Sequence, residues 1–319
     1  MPSPAASRFS EPLTFTPLFQ ERIWGGRRLE TLFGKKLPTN RRIGESWEIV
    51  DRPEAQSVVC AGAWSGTTLH ELWLHHRREV FGEIADAPRF PLFLKLLDAE
   101  EKLSVQVHPP ADVAAELGSE PKTECWYVAH AEPGAELYVG LKNGISRAAF
   151  EAALTNGTAA EQIHRIPVRA GDAMFLPSGR VHAIGAGNVL IEIQQNSDTT
   201  YRVFDWNRSG DDKAPRALHI AESLRSIDFA DYEPELVRPA GESLVKNALF
   251  ALEKWALTKE RPVAPAGNFA IVVCLTGKIH CAGVEAGPGE FFLMPASLTD
   301  RVLRPVAPDT TLLRITAGT

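Results

Sequence analysis

Val168-Arg169-Ala170-Gly171-Asp172-Ala173-Met174-Phe175-Leu176-Pro177-Ser178-Gly179 decides the fold, because the chain carries a second version of it. Residues 284–297 read Val284-Glu285-Ala286-Gly287-Pro288-Gly289-Glu290-Phe291-Phe292-Leu293-Met294-Pro295-Ala296-Ser297. In both, a glycine, five residues and a proline follow in order: Gly171 to Pro177, and Gly289 to Pro295. Each copy follows strand-like sequence with its own turn, such as Leu275-Thr276-Gly277-Lys278 in the second. Two copies of one β unit predict two similar lobes. The first copy continues to Gly179 and His182. The second has Ser297 in place of the glycine and no histidine where His182 would fall. One lobe is therefore expected to keep chemistry that the other has lost.

The rest of the chain keeps this rhythm. Its 23 prolines and 24 glycines separate many short apolar runs, as in an all-β protein with a few short helices. Trp24-Gly25-Gly26 and Ile43-Gly44-Glu45-Ser46-Trp47-Glu48 read as turn-rich pieces. Helices are expected at 67–82 with a threonine cap, at 111–118, at 146–155 capped by Ser146, and at 216–228. Phe90 to Leu97 is almost continuously apolar, which predicts a strand buried on both faces. Its one lysine, Lys95, is costly there unless it has a partner or reaches a site. Residues 1–235 are expected to form the lobe that keeps the chemistry, with residues 236–319 forming the degenerate lobe.

The 319 residues are 44% hydrophobic with a net charge of −6, enough for a substantial core. Lysines and arginines are scattered, which argues against a nucleic-acid groove or a polybasic membrane patch. An anionic substrate must then be held by a few placed cations. The cysteines, Cys60, Cys125, Cys274 and Cys281, form no CxxC pair and read as buried free thiols of a reducing compartment. Met1 to Ser10 has no apolar stretch of a signal peptide, and no run is long enough to span a bilayer. A cytoplasmic protein is expected, a monomer or weak homodimer.

Three further stretches converge on one chemistry. Val105-Gln106-Val107-His108-Pro109 puts Gln106 and His108 on one strand face. Glu124 lies in Lys122-Thr123-Glu124-Cys125-Trp126, and His182 follows Pro177-Ser178-Gly179-Arg180-Val181. Two imidazoles, one carboxylate and one amide oxygen suit a borderline divalent ion, with zinc first. Most of the nine histidines, such as His70, His75 and His76, read as ordinary hydrogen-bonded residues. Gln106 either ligates or orients a water. Glu124 either ligates or pairs with Lys122, which shares its strand face. Arg202, inside the apolar Tyr201-Arg202-Val203-Phe204, either bridges to Glu192 or Asp205 or clamps substrate oxygens or phosphate.

The pattern from Gly171 to His182 resembles the second sequence motif of the cupins, small jelly-roll barrels that hold a metal inside. It implies two cupin-type jelly-roll lobes, with Pro177 starting the strand that presents His182. The asparagine that usually closes the motif is replaced by Ala186, and Asn188 comes two residues later. Taken together, Phe90 to Asp98, Leu103 to Pro109, Lys122 to Tyr127, Pro177 to Ile184 and Asp198 to Arg202 resemble the type I mannose-6-phosphate isomerases in their short bacterial form. Ile23-Trp24-Gly25-Gly26 and Gly44-Glu45-Ser46-Trp47 belong to the same likeness, which runs from about residue 13 to the C-terminus.

That resemblance implies a zinc-dependent interconversion of D-mannose 6-phosphate and D-fructose 6-phosphate. It implies zinc ligation by Gln106, His108, Glu124 and His182, and a catalytic role for Arg202. A helical insert of longer family members has no room between Glu124 and His182. Isomerisation shifts a proton between C1 and C2 through an enediol, so it needs a base and an oxyanion stabiliser. Glu192, Lys122 and a zinc-bound water are the candidate proton carriers, Lys122 with a pKa lowered by the nearby zinc and Arg202. Arg202 suits the stabilising role, since it does not give up its proton. Ser104, Lys95, Lys122 and Arg208 are candidate phosphate anchors. Rival readings are another metal-dependent cupin, such as an iron oxygenase or a cupin-type glucose-6-phosphate isomerase, and a sugar-binding cupin without catalysis.

Overall fold

The structure, a computed structural model, describes residues 9–206, 208 and 216–318, so most of the Met1–Ser10 segment lies outside the described residues. The first strands are β1 (Leu18–Gly26), β2 (Ile43–Ile49) and a small hairpin of β3 (Asp51–Arg52) and β4 (Ala55–Gln56). Then come β5 (Leu92–Ala99), β6 (Val105–Val107), β7 (Glu124–Ala131), β8 (Glu136–Leu141), β9 (Ile163–Pro167) and β10 (Ala173–Leu176). This half ends with β11 (His182–Ile184), β12 (Asn188–Gln195) and β13 (Tyr201–Phe204). The second half holds β14 (Ser243–Lys246), β15 (Phe250–Ala256), β16 (Arg261–Pro262), β17 (Ala270–Thr276) and β18 (Ile279–Cys281). It closes with β19 (Val284–Ala286), β20 (Phe291–Met294), β21 (Val302–Pro305) and β22 (Thr311–Ala317).

In the first half a six-stranded sheet, β1-β2-β5-β12-β7-β10, faces a five-stranded one, β13-β6-β11-β8-β9. In the second half β14-β15-β22-β17-β20 faces β16-β21-β18-β19. The order β5-β12-β7-β10 recurs as β15-β22-β17-β20, and β6-β11-β8-β9 recurs as β16-β21-β18-β19. Strands β5 to β12 thus repeat as β15 to β22 in the same chain order, which is a duplicated jelly roll. The short sequence repeat falls on matching edge strands, β10 and β20.

Three apolar layers hold the sheets. Leu97, Trp126, Val128, Leu137, Val139, Met174 and Leu190 fill the first barrel, and Val272, Ile279, Phe292, Leu303 and Leu312 fill the second. Between the barrels, Leu92, Leu94, Leu96, Ile191 and Ile193 pack with Phe250, Leu252, Ile271, Val273 and Ile315. Strand β5 is therefore buried on both faces over its whole length, as the run Phe90 to Leu97 predicts.

Helices cover the flanks. The segment read as one helix over 67–82 is two, Leu69–His75 and Arg77–Phe81, broken at His76. Thr68 caps the first by a reciprocal capping box with Glu71. The others are Arg28–Phe33, which was not expected, Ala111–Leu117, Arg147–Thr155 capped by Ser146, and Ile220–Ser226, shorter than the 216–228 expected. Cys60 is exposed, whereas Cys125, Cys274 and Cys281 are buried, and all four are free thiols. The expectation of burial thus fails for Cys60, which precedes the surface turn at Ala61-Gly62.

Two glycine-rich pieces read as turns lie inside strands β1 and β2 instead. A Cβ on Gly25 would stand 2.3 Å from the Gly44 nitrogen, and one on Gly44 would stand 2.6 Å from both Arg22 Cβ and Trp24 Cζ3. The glycines let two strands meet at a bulge, where Glu21 and Gly26 both oppose Ile43. Gly44→Ala is expected to cost about 1–3 kcal/mol through overpacking and to lower Tm by several degrees in thermal denaturation. An unchanged Tm would show that the close approach is not enforced.

Candidate active site

One turn stitches together the segments that carry the predicted ligands. Pro177 ends β10 rather than starting a strand, because Gly171 and Gly179, at φ +99° and +96°, reverse the chain on either side of that strand. The Gly179 amide donates to the His108 carbonyl at 2.8 Å, and the Lys122 amide donates to Ser178 Oγ at 3.1 Å. Arg180 braces the turn by a bidentate bond to Asp231 at 2.7 and 2.8 Å. His182 then enters β11 directly opposite Gln106 on β6, and Gln106 opposes Arg202 on β13. Residues paired this way share a sheet face, so His182, Gln106 and Arg202 form one row.

His108, Glu124 and His182 are buried, and a donor atom from each lies within 4.8 Å of the others. His108 Nε2 is 3.6 Å from Glu124 Oε2, and His182 Nε2 is 3.5 Å from Glu124 Oε1. Each imidazole turns Nδ1 to a backbone carbonyl, Thr199 at 2.8 Å for His108 and Arg180 at 2.9 Å for His182. The ring protons therefore sit on Nδ1, and both Nε2 lone pairs point at the carboxylate. Those two nitrogens and both Glu124 oxygens are buried without a hydrogen-bond partner. Four orphaned acceptors facing one another repel, and a cation among them satisfies all four. The donor set thus fits a metal.

Protonation agrees with this. Burial drives the His108 pKa well down, helped by Lys122, and burial brings His182 to about 4. Both rings are neutral, as ligands must be. Burial and then Glu192 push the Glu124 carboxyl up. Lys122 Nζ lies 3.3 Å from Glu124 Oε2, an ion-pair distance without hydrogen-bond alignment. The two readings of Glu124, ligand and partner of Lys122, are therefore compatible.

Beside this cluster opens a cavity of about 450 Å³. It is lined by five cations, Arg22, Lys95, Lys122, Arg202 and Arg216, and by Glu45, Glu192 and Asp198, with Ser104 and Gln106 also on its wall. Lys95 opposes Glu192 across β5 and β12 and lies 3.5 Å from it and 3.7 Å from Glu45. Trp126 Nε1 donates to the other Glu192 oxygen at 2.9 Å, and Arg22 Nε donates to Glu45 at 2.7 Å. Burial opposes both carboxylates. Lys122 and Lys95 nevertheless hold Glu192 below its ordinary value, and Lys95 and Arg22 hold Glu45 at about 2. The lowering expected for Lys122 rests on a bound zinc ion and Arg202, whereas the protein's own carboxylates act the other way. Burial does oppose its charge, but Glu124, Glu192 and Asp198 prevail and raise it.

Arg202 bridges to neither Glu192 nor Asp205. Its Nη1 donates to the Ala217 carbonyl at 2.8 Å, its buried Nε has no partner, and no carboxylate pairs with it among the described residues. Burial, then Arg216 and Arg208, lower its pKa. Arg208 is not on this wall. It donates to Asp205 and to the Lys102 carbonyl and borders a separate shallow depression. Sequence reasoning passed over Arg22, Glu45 and Arg216. Glu45 sits in a piece mistaken for a turn and Arg22 lies two residues before the other, and no periodic signal marks Arg216.

Known proteins match this chain along nearly its whole length. A family profile described as the catalytic domain of type I phosphomannose isomerase matches residues 13–120. The chain is 37% identical over 302 residues to the mannose-6-phosphate isomerase ManA of Bacillus subtilis (strain 168), covering 91% of this chain and 94% of that one. It is 38% identical over 278 residues to the mannose-6-phosphate isomerase of Streptococcus mutans, covering 84% of this chain and 86% of that one. The crystal structure of the Bacillus subtilis mannose 6-phosphate isomerase superposes with a TM-score of 0.84 at 33% identity, covering 96% of this chain and 99% of that one. Likeness of this depth and extent makes the chain a member of the type I mannose-6-phosphate isomerase family.

Proposed function

We propose that the protein interconverts D-mannose 6-phosphate and D-fructose 6-phosphate by moving a proton between C1 and C2 through an enediolate. The observation that carries this reading is the buried trio His108, Glu124 and His182, with four orphaned acceptors, beside a cavity rich in placed cations and carboxylates. His108, Glu124 and His182, with Gln106 next to His182 in the ladder, hold the metal in our reading, and zinc suits the donor set. A bound zinc ion supplies Lewis acidity to the sugar oxygens without redox chemistry.

The remaining roles belong to side chains. Glu192, ionised and fixed by Trp126 and Lys95, accepts the proton from the substrate carbon and returns it to the neighbouring one. Lys122, on the cavity wall beside Glu124, faces the developing negative charge. Arg202, with no carboxylate partner among the described residues, adds electrostatic stabilisation of the oxyanion. Ser104 and Lys95 bind the sugar. We assign residues 1–235 to the catalytic lobe and 236–319 to the degenerate one, supported by the repeated strand order. We also place the protein in the cytoplasm, a reading supported by its four free thiols, and take it to be a monomer or weak homodimer.

The deciding assay incubates the zinc-loaded protein with mannose 6-phosphate and measures fructose 6-phosphate. Absence of product would reject the isomerase reading. His182→Ala is expected to lose metal and turnover together. Arg202→Ala should retain metal while kcat falls roughly 100- to 1000-fold. Wild-type turnover in the Arg202 variant would remove that residue from the mechanism.

The metal-free protein should also lose stability in acid. His108 and His182 are held neutral, His182 down to about 4, whereas unfolded histidines titrate near 6.5. Glu124, with its pKa raised, works in the opposite direction. Two imidazoles against one carboxyl leave the unfolded chain with more bound protons below about pH 6.5. Stability therefore declines from there toward pH 4. Chemical denaturation of His182→Gln at a series of pH values should show that slope reduced by roughly one proton. An unchanged slope would mean that His182 is not held neutral.

A further inference from the structure

We propose that Gln194 is a positioning residue of the metal site, holding the turn whose carbonyl fixes the imidazole of His108. This rests on the reading of His108, Glu124 and His182 as metal ligands. The two histidines reach the site differently. His182 belongs to β11, whereas His108 lies one residue beyond the end of β6. The His108 ring is oriented by the bond from its Nδ1 to the Thr199 carbonyl at 2.8 Å. Thr199 belongs to no strand, since β12 ends at Gln195 and β13 begins at Tyr201. A carbonyl on an untethered turn would let the ring swing, so the turn must be tied to the barrel.

Gln194 is that tie. It is fully buried on β12, a strand paired on both sides, and it opposes Glu124 on β7 and Phe93 on β5. Its Nε2 donates to the Gln195 carbonyl at 2.9 Å and to the Ser197 carbonyl at 2.6 Å. Two carbonyls at one end of the amide fix its orientation, because only the nitrogen donates. From Ser197 the hold passes to Thr199. The Thr199 amide donates to Ser197 Oγ at 3.2 Å, and Ser197 Oγ donates to the Glu120 carbonyl at 3.3 Å. The Glu120 amide in turn donates to Thr199 Oγ1 at 3.1 Å. Asn196 pins the start of the same turn to the Asp51 and Phe90 carbonyls, both at 2.7 Å, and Gln194 pins its middle.

This hold has a cost. Gln194 Oε1 is buried with no hydrogen-bond partner. An apolar side chain of the same length would fill the space without that penalty. The amide therefore acts through its nitrogen, and what the nitrogen holds leads to a metal ligand. His182 has a counterpart. Its Nδ1 bonds the Arg180 carbonyl, in the turn that the Arg180 side chain braces against Asp231. On the His108 side a neutral amide does the bracing, which adds no charge on the strand face it shares with Glu124.

The test compares wild type, Gln194→Met and Gln194→Leu, each as the full chain. Zinc is withdrawn from the loaded proteins by a competing chelator of known affinity. The ring nitrogens of His108 and His182 are followed by nitrogen NMR on the same proteins stripped of zinc. Gln194→Met keeps length and burial but has no donor. It is expected to bind zinc roughly 10- to 100-fold more weakly, the usual loss when a group that orients a ligand is removed. His108 should become a mixture of tautomers while His182 keeps its proton on Nδ1. Gln194→Leu should behave alike and serves if the methionine variant does not fold. Zinc affinity within about twofold of wild type in a folded variant would overturn the proposal, as would an unchanged His108 tautomer. Equal disturbance of both histidines would overturn it as well, since that marks general loosening of the barrel. So would failure of both variants to fold, because Gln194 would then hold the barrel and not the ligand. If the wild type takes up no zinc, the metal reading fails on its own, and the His108 tautomer still decides whether Gln194 positions that ring.

Discussion

Two lone pairs and a carboxylate, all aimed at one point inside a barrel, are the constraint on which the catalytic half depends. Burying His108 Nε2, His182 Nε2 and both Glu124 oxygens without a hydrogen bond, with only the Lys122 ion pair against one of them, costs on the order of several kcal/mol in a metal-free chain. The fold holds these groups in place from several sides. The Nδ1 bonds to Thr199 and Arg180 fix both rings, and Glu124 springs from a strand buried on both faces. A site held this firmly against its own repulsion is prepared for a cation before one arrives.

The firmness comes from outside the site. Strands β5, β12 and β7 carry Lys95, Glu192 and Glu124 on one face, while Leu94, Leu96, Ile191 and Ile193 on the opposite face pack against the second barrel. The second barrel therefore serves the first as a wall even though it lacks a matching histidine. The duplication shows how such a lobe is closed. Where β5 and β12 set Lys95 opposite Glu192, β15 and β22 set Glu253 opposite Arg314, the same pair with charges exchanged. Arg314 bonds Glu253 at 2.9 Å, and Arg261 and Arg314 lie over the Trp255 ring at 3.5 and 5.2 Å. Eleven residues after Gly289 stands Asp300, where His182 follows Gly171 at the same distance, and Asp300 pairs with Arg304. In the second barrel these charges pair with one another and Arg301 is taken up by backbone carbonyls, whereas the first leaves buried acceptors without partners.

How much of this is legible in sequence depends on how each residue reaches the site. His182 is legible because glycine and proline turn chemistry precedes it. Gln106 and His108 are legible because their spacing is local, although β6 ends at Val107 and His108 lies just beyond it. Lys95 shows itself as a charge in an apolar run, and the demand for a partner is met by Glu45 and Glu192. Gly25 and Gly44 mislead because glycine serves turns and close strand approach alike, and only pairing distinguishes them. That error hides Glu45, and with it the strand partner of Arg22. Arg216 has no local signal at all, since Asp205 brings it to the cavity wall by a contact across eleven residues.

The cavity also explains how a chain with net charge −6 accommodates an anionic sugar. Its charges are not averaged over the wall but sorted along it. Near the metal ligands each ammonium faces a carboxylate, Lys122 with Glu124 and Lys95 with Glu192 and Glu45, so the local sum is close to zero and the pairs hold protons in defined places. At the β13 end the balance tips to arginine, which cannot be deprotonated and whose fork suits oxygen anions. Proton transfer needs groups whose charge can change, and anchoring needs groups whose charge cannot. The two kinds of charge sit on different walls of the barrel, Lys95 and Glu192 on the six-stranded sheet and Arg202 on the five-stranded one, so each kind can act without neutralising the other.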